Sequence, residues 1–480
     1  MGSMVGNDDG VVHIVMFPWL GFGHISPFAQ LTRKLVAAGD GGLRVTFLTA
    51  AATIPRVEAM LGGRSAAVAI APLHLPRVPG LPPGAESTHE VTAEGQELLK
   101  AALDGTRPQV AALLAGLRPD AVLFDFATSW VCAVAAPLGV APLYFSIFAA
   151  AAFAYITVPA RRLHASAADL ASAPAGFPPG SALATVPPYQ AADFTFAFTS
   201  FLHGKPRVID RVIAGLDGCA GLVMKTCPEM EAAYIDYIAS QLGGKPVLLA
   251  GPVVPEPPQG ELEEPWAAWL SSFPDSAVVF AAFGSETFLP AAAATELLLG
   301  LEATGRPFLA VLNFPAGADA EAEVAARLPA GFEERVRGRG AVRTGWVPQQ
   351  HILRHRSVGC FVTHVALSSV VEGLVAGCRL VLLPLKGDQY PNAALFAREL
   401  GVGVEVARRG EDGWFGRDNV SAAVAAAVAE GGDREAGRWR EFLMDHAVQK
   451  RYMDQFIRDL KALVKPSLKD KLPCTDVPDE

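Results

Sequence analysis

The chain has 480 residues, of which 51% are hydrophobic and 19% charged, with a formal net charge of −9. At about 100–200 residues per domain, this length predicts two or three domains with substantial cores. The basic residues form no stripe, which excludes a nucleic-acid partner needing a cationic face to displace counterions. Six cysteines (Cys132, Cys219, Cys227, Cys360, Cys378 and Cys474) lie far apart with no CxxC pair, a pattern of reduced cytosolic thiols rather than a disulfide framework or zinc site. Met1–Gly10 is small and acidic and lacks a basic stretch before the apolar run Val11–Phe22, so no signal peptide is expected. The sequon at Asn419-Val420-Ser421 then carries little meaning.

Val12–Phe17 reads as a buried strand, followed by a helix from about His24 to Ala38 and a second strand at Arg44–Leu48. Ala121–Phe124, Pro142–Ile147 and Gly221–Thr226 are further strands with helical stretches between. Strands covered on both faces lose polar alternation, as these do, and alternating β and α segments predict a parallel sheet. Trp130–Ala160 carries no charge and is long enough to cross a bilayer. Pro137 and Pro142 interrupt it, however, so a buried helix, a turn and a buried strand fit better, and no membrane insertion is expected. Gly251–Pro265, rich in proline and acid, reads as a linker between a domain at 1–250 and one at 266–445. The pattern then restarts with a strand at Ala277–Phe283, a helix at Ala291–Ala303, and strands at Phe308–Leu312, Gly359–Thr363 and Leu380–Leu383. A helical region from Arg434 to Leu463 precedes a polar tail, 466–480, expected to be disordered. Two α/β halves imply a ligand cleft beyond the carboxyl ends of their strands.

His24 follows the first strand in Pro18-Trp19-Leu20-Gly21-Phe22-Gly23-His24 and can serve as a base near neutral pH. An isolated histidine there is more often a capping or core residue. This glycine pattern lacks the third glycine of a dinucleotide fingerprint, which weighs against a dehydrogenase. Asp125 ends the strand Ala121–Phe124 and either fixes the His24 tautomer or caps the following helix. Gly284-Ser285, at another strand end, could admit a phosphate to the backbone, a weak sign by itself.

The richest segment is Trp346–Gln389: Trp346-Val347-Pro348-Gln349-Gln350, then Thr363-His364, Ser369, Glu372-Gly373, Pro384 and Asp388-Gln389. Its spacing resembles the donor-binding signature of plant family-one UDP-dependent glycosyltransferases. The paired α/β layout and the contexts of His24 and Asp125 extend the resemblance over nearly the whole chain. It implies two Rossmann-like domains facing across a cleft (the GT-B type), with helix 446–465 packing back on the first domain. It also implies donor roles: Trp346 stacking on uracil, the Val347 backbone pairing with its edge, and Gln349 and Glu372 on the ribose. His364, Ser368, Ser369 and Ser285 would hold the diphosphate, and Asp388 and Gln389 the sugar. A helix beginning near Ser368 would offer free N–H groups to phosphate, while Ser369 and Glu372 also fit a capping box. One departure stands out: where the family reads His-Cys-Gly-Trp-Asn-Ser, this chain has His364-Val365-Ala366-Leu367-Ser368-Ser369.

The implied reaction is inverting displacement at the anomeric carbon, with His24 as base and Asp125 balancing its charge. A UDP-sugar is the co-substrate, UDP-glucose on the strength of Asp388-Gln389, and no metal or other cofactor is called for. The His24 segment resembles the branch that adds sugar to sugar, pointing to a flavonoid or terpenoid glycoside as acceptor. Direct transfer to an aglycone is the alternative, and a non-catalytic binder of the same fold a lesser one. Phe22, Gly23, Phe145, Phe148, Phe153 and Phe201 are candidate acceptor contacts. The whole is expected to be a cytoplasmic monomer.

Overall fold

The computed structural model describes residues 11–63, 65–162, 166–199, 204–429 and 434–465. The candidate Phe201 and the tail 466–480 lie outside them.

The first sheet contains β1 (Val12–Phe17), β2 (Leu43–Ala50), β3 (Val68–Leu73), β4 (Ala121–Phe124), β5 (Ala141–Ser146), β6 (Gly221–Met224) and β7 (Val247–Leu249). Its order is β3-β2-β1-β4-β5-β6-β7, every pairing parallel. The second contains β8 (Val278–Ala282), β9 (Phe308–Val311), β10 (Gly340–Arg343), β11 (Val358–Thr363), β12 (Arg379–Leu382) and β13 (Val404–Glu405). Its order is β10-β9-β8-β11-β12-β13, again parallel throughout. Between Leu249 and Trp266 the chain forms no helix or strand.

The central strands β1, β4, β8 and β11 are almost wholly buried and mostly apolar, as helices on both faces require. In each sheet the strand order reverses once, between β1 and β4 and between β8 and β11. Such reversals leave a crevice at the carboxyl edge, because the flanking connections run to opposite faces.

The helix after β1 spans Phe22–Ala38, two residues earlier than its sequence suggests, because Gly21 in extended conformation takes the N-cap position. His24 therefore sits in the first helical turn. The carboxy-terminal helical region divides at Asp445, whose carboxylate caps the helix His446–Val464 by accepting from the backbone N–H of Ala447 at 2.7 Å. Met453, Phe456, Ile457 and Leu460 of that helix share a core with Ile25, Phe28 and Leu35 of the first domain. The uncharged stretch Trp130–Ala160 contributes helix Val131–Ala135, strand β5 and helix Ala150–Ile156. Among the described residues no helix is long and apolar enough to cross a membrane. The five described cysteines are buried and unpaired.

Candidate active site

The carboxyl edges of the two sheets face one cleft of about 630 Å³. On the first side, β1 delivers His24 and β4 delivers Asp125. His24 Nδ1 lies 2.5 Å from Asp125 Oδ2, and Asp125 is only 2% exposed behind it. The other carboxylate oxygen, Oδ1, accepts from the Phe126 N–H at 2.6 Å, so Asp125 also caps the short turn Phe126–Thr128. One oxygen of Asp125 thus meets His24 and the other caps the turn. Burial alone would lower the His24 pKa. The charge and hydrogen bond of Asp125, with smaller help from Glu286 and Asp388, outweigh burial and raise it above 6.5. The ring is flanked by Phe126 and Phe148, centroids 5.6 and 5.9 Å away, leaving one edge toward the cleft.

On the second side, β8 leads to Gly284-Ser285 and β11 to His364. Gly284 has φ +70°, and a Cβ there would stand 3.0 Å from His364 Nε2, so glycine is required by both conformation and space. Burial, then Lys386, push the His364 pKa down to about 3, which keeps its imidazole neutral. Helix Leu367–Ala376 follows, with Ala366 as N-cap and no side chain capping it. The capping box suggested for Ser369 and Glu372 is absent, because the helix starts two residues before Ser369. The N–H groups of its first turn lack intrahelical acceptors and stand at the cleft wall with the positive end of the helix dipole. Val365, just before it, has φ +69°, a strained conformation for a β-branched residue. Asn392 Nδ2 donates to its carbonyl at 2.9 Å and holds the turn.

Trp346 is 76% exposed, leaving its indole face open for stacking. Gln349 Nε2 donates to Glu372 Oε2 at 2.7 Å and Gln350 Nε2 to Oε1 at 3.3 Å, which orients the carboxylate toward the cleft. Burial raises the Glu372 pKa against those two amides and Lys225. Asp388 likewise has its pKa raised by burial, opposed by the Asn392 amide and the charge of His24. The Gln389 amide is tied into its own loop: its oxygen accepts from the Leu385 and Lys386 N–H groups, and its nitrogen donates to Thr287.

His24, Ser285, Trp346, Val347, Gln349, His364, Ser368, Ser369, Glu372, Asp388 and Gln389 thus border a single cleft. Phe22, Gly23 and Phe148 line it on the first side. Phe145 and Phe153 do not. Phe145 is fully buried against Phe28, with centroids 4.8 Å apart, and Phe153 packs on Tyr144. Both lie on elements covered on all sides, so their aromaticity marks core; only Ile147 and Phe148, beyond the end of β5, reach the cleft. Four charged lining residues escaped the sequence reading: Arg56, whose guanidinium sits 3.4 Å over the Phe22 ring, Glu286, Lys386 and Lys225. Lys225 follows β6 directly, so the strand-end logic that selects Asp125 also selects it.

Two doubly wound parallel domains facing one cleft, with the His24–Asp125 pair on one wall and an uncapped helix N-terminus on the other, have the GT-B arrangement. Residues 331–410 match the family model described as UDP-glucoronosyl and UDP-glucosyl transferase. The anthocyanidin-3-O-glucoside rhamnosyltransferase of Petunia hybrida is 45% identical, over 97% of this chain and 100% of that protein. The anthocyanidin 3-O-glucoside 2''-O-glucosyltransferase of Ipomoea nil is 36% identical, over 96% and 100%. The crystal structure of Arabidopsis thaliana UGT89C1 shares the fold, with TM-score 0.71 at 23% identity over 93% of this chain and 99% of that one. The chain belongs to the UDP-glucoronosyl and UDP-glucosyl transferase family and is a UDP-glycosyltransferase, its co-substrate a UDP-sugar.

Proposed function

We propose that the enzyme transfers a sugar from UDP to a hydroxyl on the sugar of a flavonoid or terpenoid glycoside, producing a branched, β-linked saccharide with inversion at the anomeric carbon. The observation that carries this is the His24–Asp125 pair at 2.5 Å, in one cleft with the uncapped helix N-terminus at Leu367.

His24 Nε2 takes the acceptor proton as the hydroxyl oxygen attacks C1, while Nδ1–H keeps donating to the Asp125 carboxylate, whose charge stabilises the imidazolium. The bond from C1 to the phosphate oxygen breaks, and its electron pair leaves with UDP. The charge growing on the diphosphate meets the helix N–H groups, Ser369, Ser285 and the neutral imidazole of His364. Trp346 stacks on uracil beside the Val347 backbone, and Gln349 and Glu372 take the ribose. Asp388 binds sugar hydroxyls, aided by Gln389.

Glycoside acceptors are supported by the activities of both relatives, each acting on an anthocyanidin 3-O-glucoside. The Asp388-Gln389 pair supports glucose as donor. A second donor has its own support, since the relative at 45% identity transfers rhamnose. We place the enzyme in the cytosol as a monomer, which its buried unpaired cysteines favour for the compartment; elution as a dimer in size-exclusion chromatography would refute the second part. The functional test pairs flavonoid glycosides and their aglycones with UDP-glucose and with UDP-rhamnose, and reads products by mass. Transfer to aglycones alone overturns the sugar-on-sugar reading, and use of UDP-rhamnose in preference to UDP-glucose replaces the donor.

A further inference from the structure

Lys225 stands just beyond β6 in the first domain. It is 6% exposed, yet it borders the cleft. Its ammonium reaches the other domain and donates to Ser368 Oγ at 3.0 Å. Among the described residues that hydroxyl is its hydrogen-bond partner, and no carboxylate forms an ion pair with it. Glu372 and Asp388 act on it only as more distant charges, and burial pulls its pKa down to about 8.

A buried cation without a counter-ion is costly, since burial strips its hydration and nothing replaces it. The cost is compounded here. Ser368 is the second residue of helix Leu367–Ala376, so the ammonium is held beside the positive end of that helix. The neighbouring cations of the cleft are differently engaged: Lys386 donates to the Glu286 carbonyl at 2.6 Å, and Arg56 lies over Phe22. Two positive features held together at a cleft wall form a site for a multiply charged anion.

We infer that Lys225 binds the diphosphate of the UDP-sugar from the acceptor side of the cleft, using Ser368 as its docking point. This rests on the UDP-sugar transfer proposed above. The step requires no proton from Lys225. The amine stays protonated, the acceptor proton goes to His24, and the electron pair of the breaking C1–O bond departs with UDP, whose new charge Lys225 offsets. Position 368, where the family reads asparagine, is then a short hydroxyl that leaves room for a lysine from the opposite sheet. The contact joins the leaving-group site to both domains, because the two partners belong to different domains.

The test uses the full chain and compares Lys225→Met and Lys225→Arg with wild type, measuring UDP and uridine binding by calorimetry and turnover with UDP-sugars. Lys225→Met should weaken UDP at least tenfold, leave uridine unchanged and reduce kcat with little change in acceptor KM. Lys225→Arg should recover part of both losses. Unchanged uridine affinity also reports an intact site. An unaltered UDP-to-uridine affinity ratio in Lys225→Met, or equal weakening of both ligands, overturns the inference. So does a loss confined to a UDP-uronate donor, which would make the sugar carboxylate the anion. A wild type that binds UDP but transfers no sugar defeats the functional proposal, while the binding ratio still decides the role of Lys225.

Discussion

Asp125→Asn separates the charge of the carboxylate from its shape. Asp125 Oδ1 faces the Phe126 N–H at 2.6 Å, and Oδ2 faces both His24 Nδ1 at 2.5 Å and the Trp19 N–H at 3.3 Å. An asparagine satisfies only one set. With its oxygen toward Phe126, its NH2 meets His24 and forces Nδ1 to accept, which leaves a proton on Nε2 where the base must be free. With its oxygen toward His24, its NH2 confronts the Phe126 N–H. A positioned general base contributes about 10²–10⁴-fold, or about 3–5 kcal/mol at 1.36 kcal/mol per tenfold. Loss of kcat/KM in this range is expected, with UDP affinity unchanged. The pH profile supplies the second reading. With His24 as the proposed neutral base and its pKa raised above 6.5, activity should rise with pH through a limb above that value. In Asp125→Asn the strongest opposition to burial is gone and only Glu286 and Asp388 remain, so residual activity should show a limb at lower pH. Steady-state kinetics from pH 5 to about 9, spanning the ordinary histidine range, reads both. Full kcat/KM with an unmoved limb would refute the dyad.

His24→Gln should abolish nearly all transfer, with UDP binding by calorimetry preserved; a fully active variant would show that another group is the base. Trp346→Ala should cost about 1–3 kcal/mol of stacking, seen as weaker UDP binding without a change in Tm, because the side chain is 76% exposed. Arg161→Met tests stability apart from the cleft. Its buried guanidinium donates to the carbonyls of Tyr155 (2.8 Å), Asp169 (3.0 Å) and Ser172 (2.7 Å). The Tyr155 bond is the fully buried one of the three, so stranding its acceptor should cost about 1–3 kcal/mol, lowering Tm by roughly 2–12 °C for a domain of this size, while kcat stays as in wild type.

The strands that sequence reading locates are the inner ones, where helices on both faces impose continuous apolar runs. The four it passes over, β3, β7, β10 and β13, are the two edges of each sheet. Edges are covered less and run shorter: β7 has three residues, β13 has two, and β3 is mostly half-exposed. Such segments have too few buried positions for periodicity to register. The cleft residues of the second domain are legible because most of them are packed into one stretch, Trp346 to Gln389. Those of the first domain are not, because they come from separated strand ends and loops: the sequence suggests Phe145 and Phe153, which do not line the cleft, and gives no sign of Arg56 and Lys225, which do. Lys225 and Ser368 are 143 positions apart and in different domains, a pairing that no local pattern encodes.

The stretch 365–368, where the chain departs from the motif it resembles, also carries a constrained backbone. Val365 at φ +69° stores about 1–3 kcal/mol of strain. That strain is sustained by complete burial of its side chain and by the Asn392 amide on its carbonyl. The turn it forces brings Ala366 into extended conformation as N-cap, so the helix starts at Leu367 and its first N–H groups point to the cleft wall. Anion binding by backbone N–H groups is indifferent to whether the side chains are glycine and tryptophan or alanine and leucine. Side-chain identity matters at position 368, where a serine supplies one hydroxyl in place of a carboxamide, and there a lysine from the opposite domain meets it. The altered residues therefore preserve the backbone device and relocate the charge: what the helix loses in a side-chain amide, the proposed site regains as an ammonium from β6.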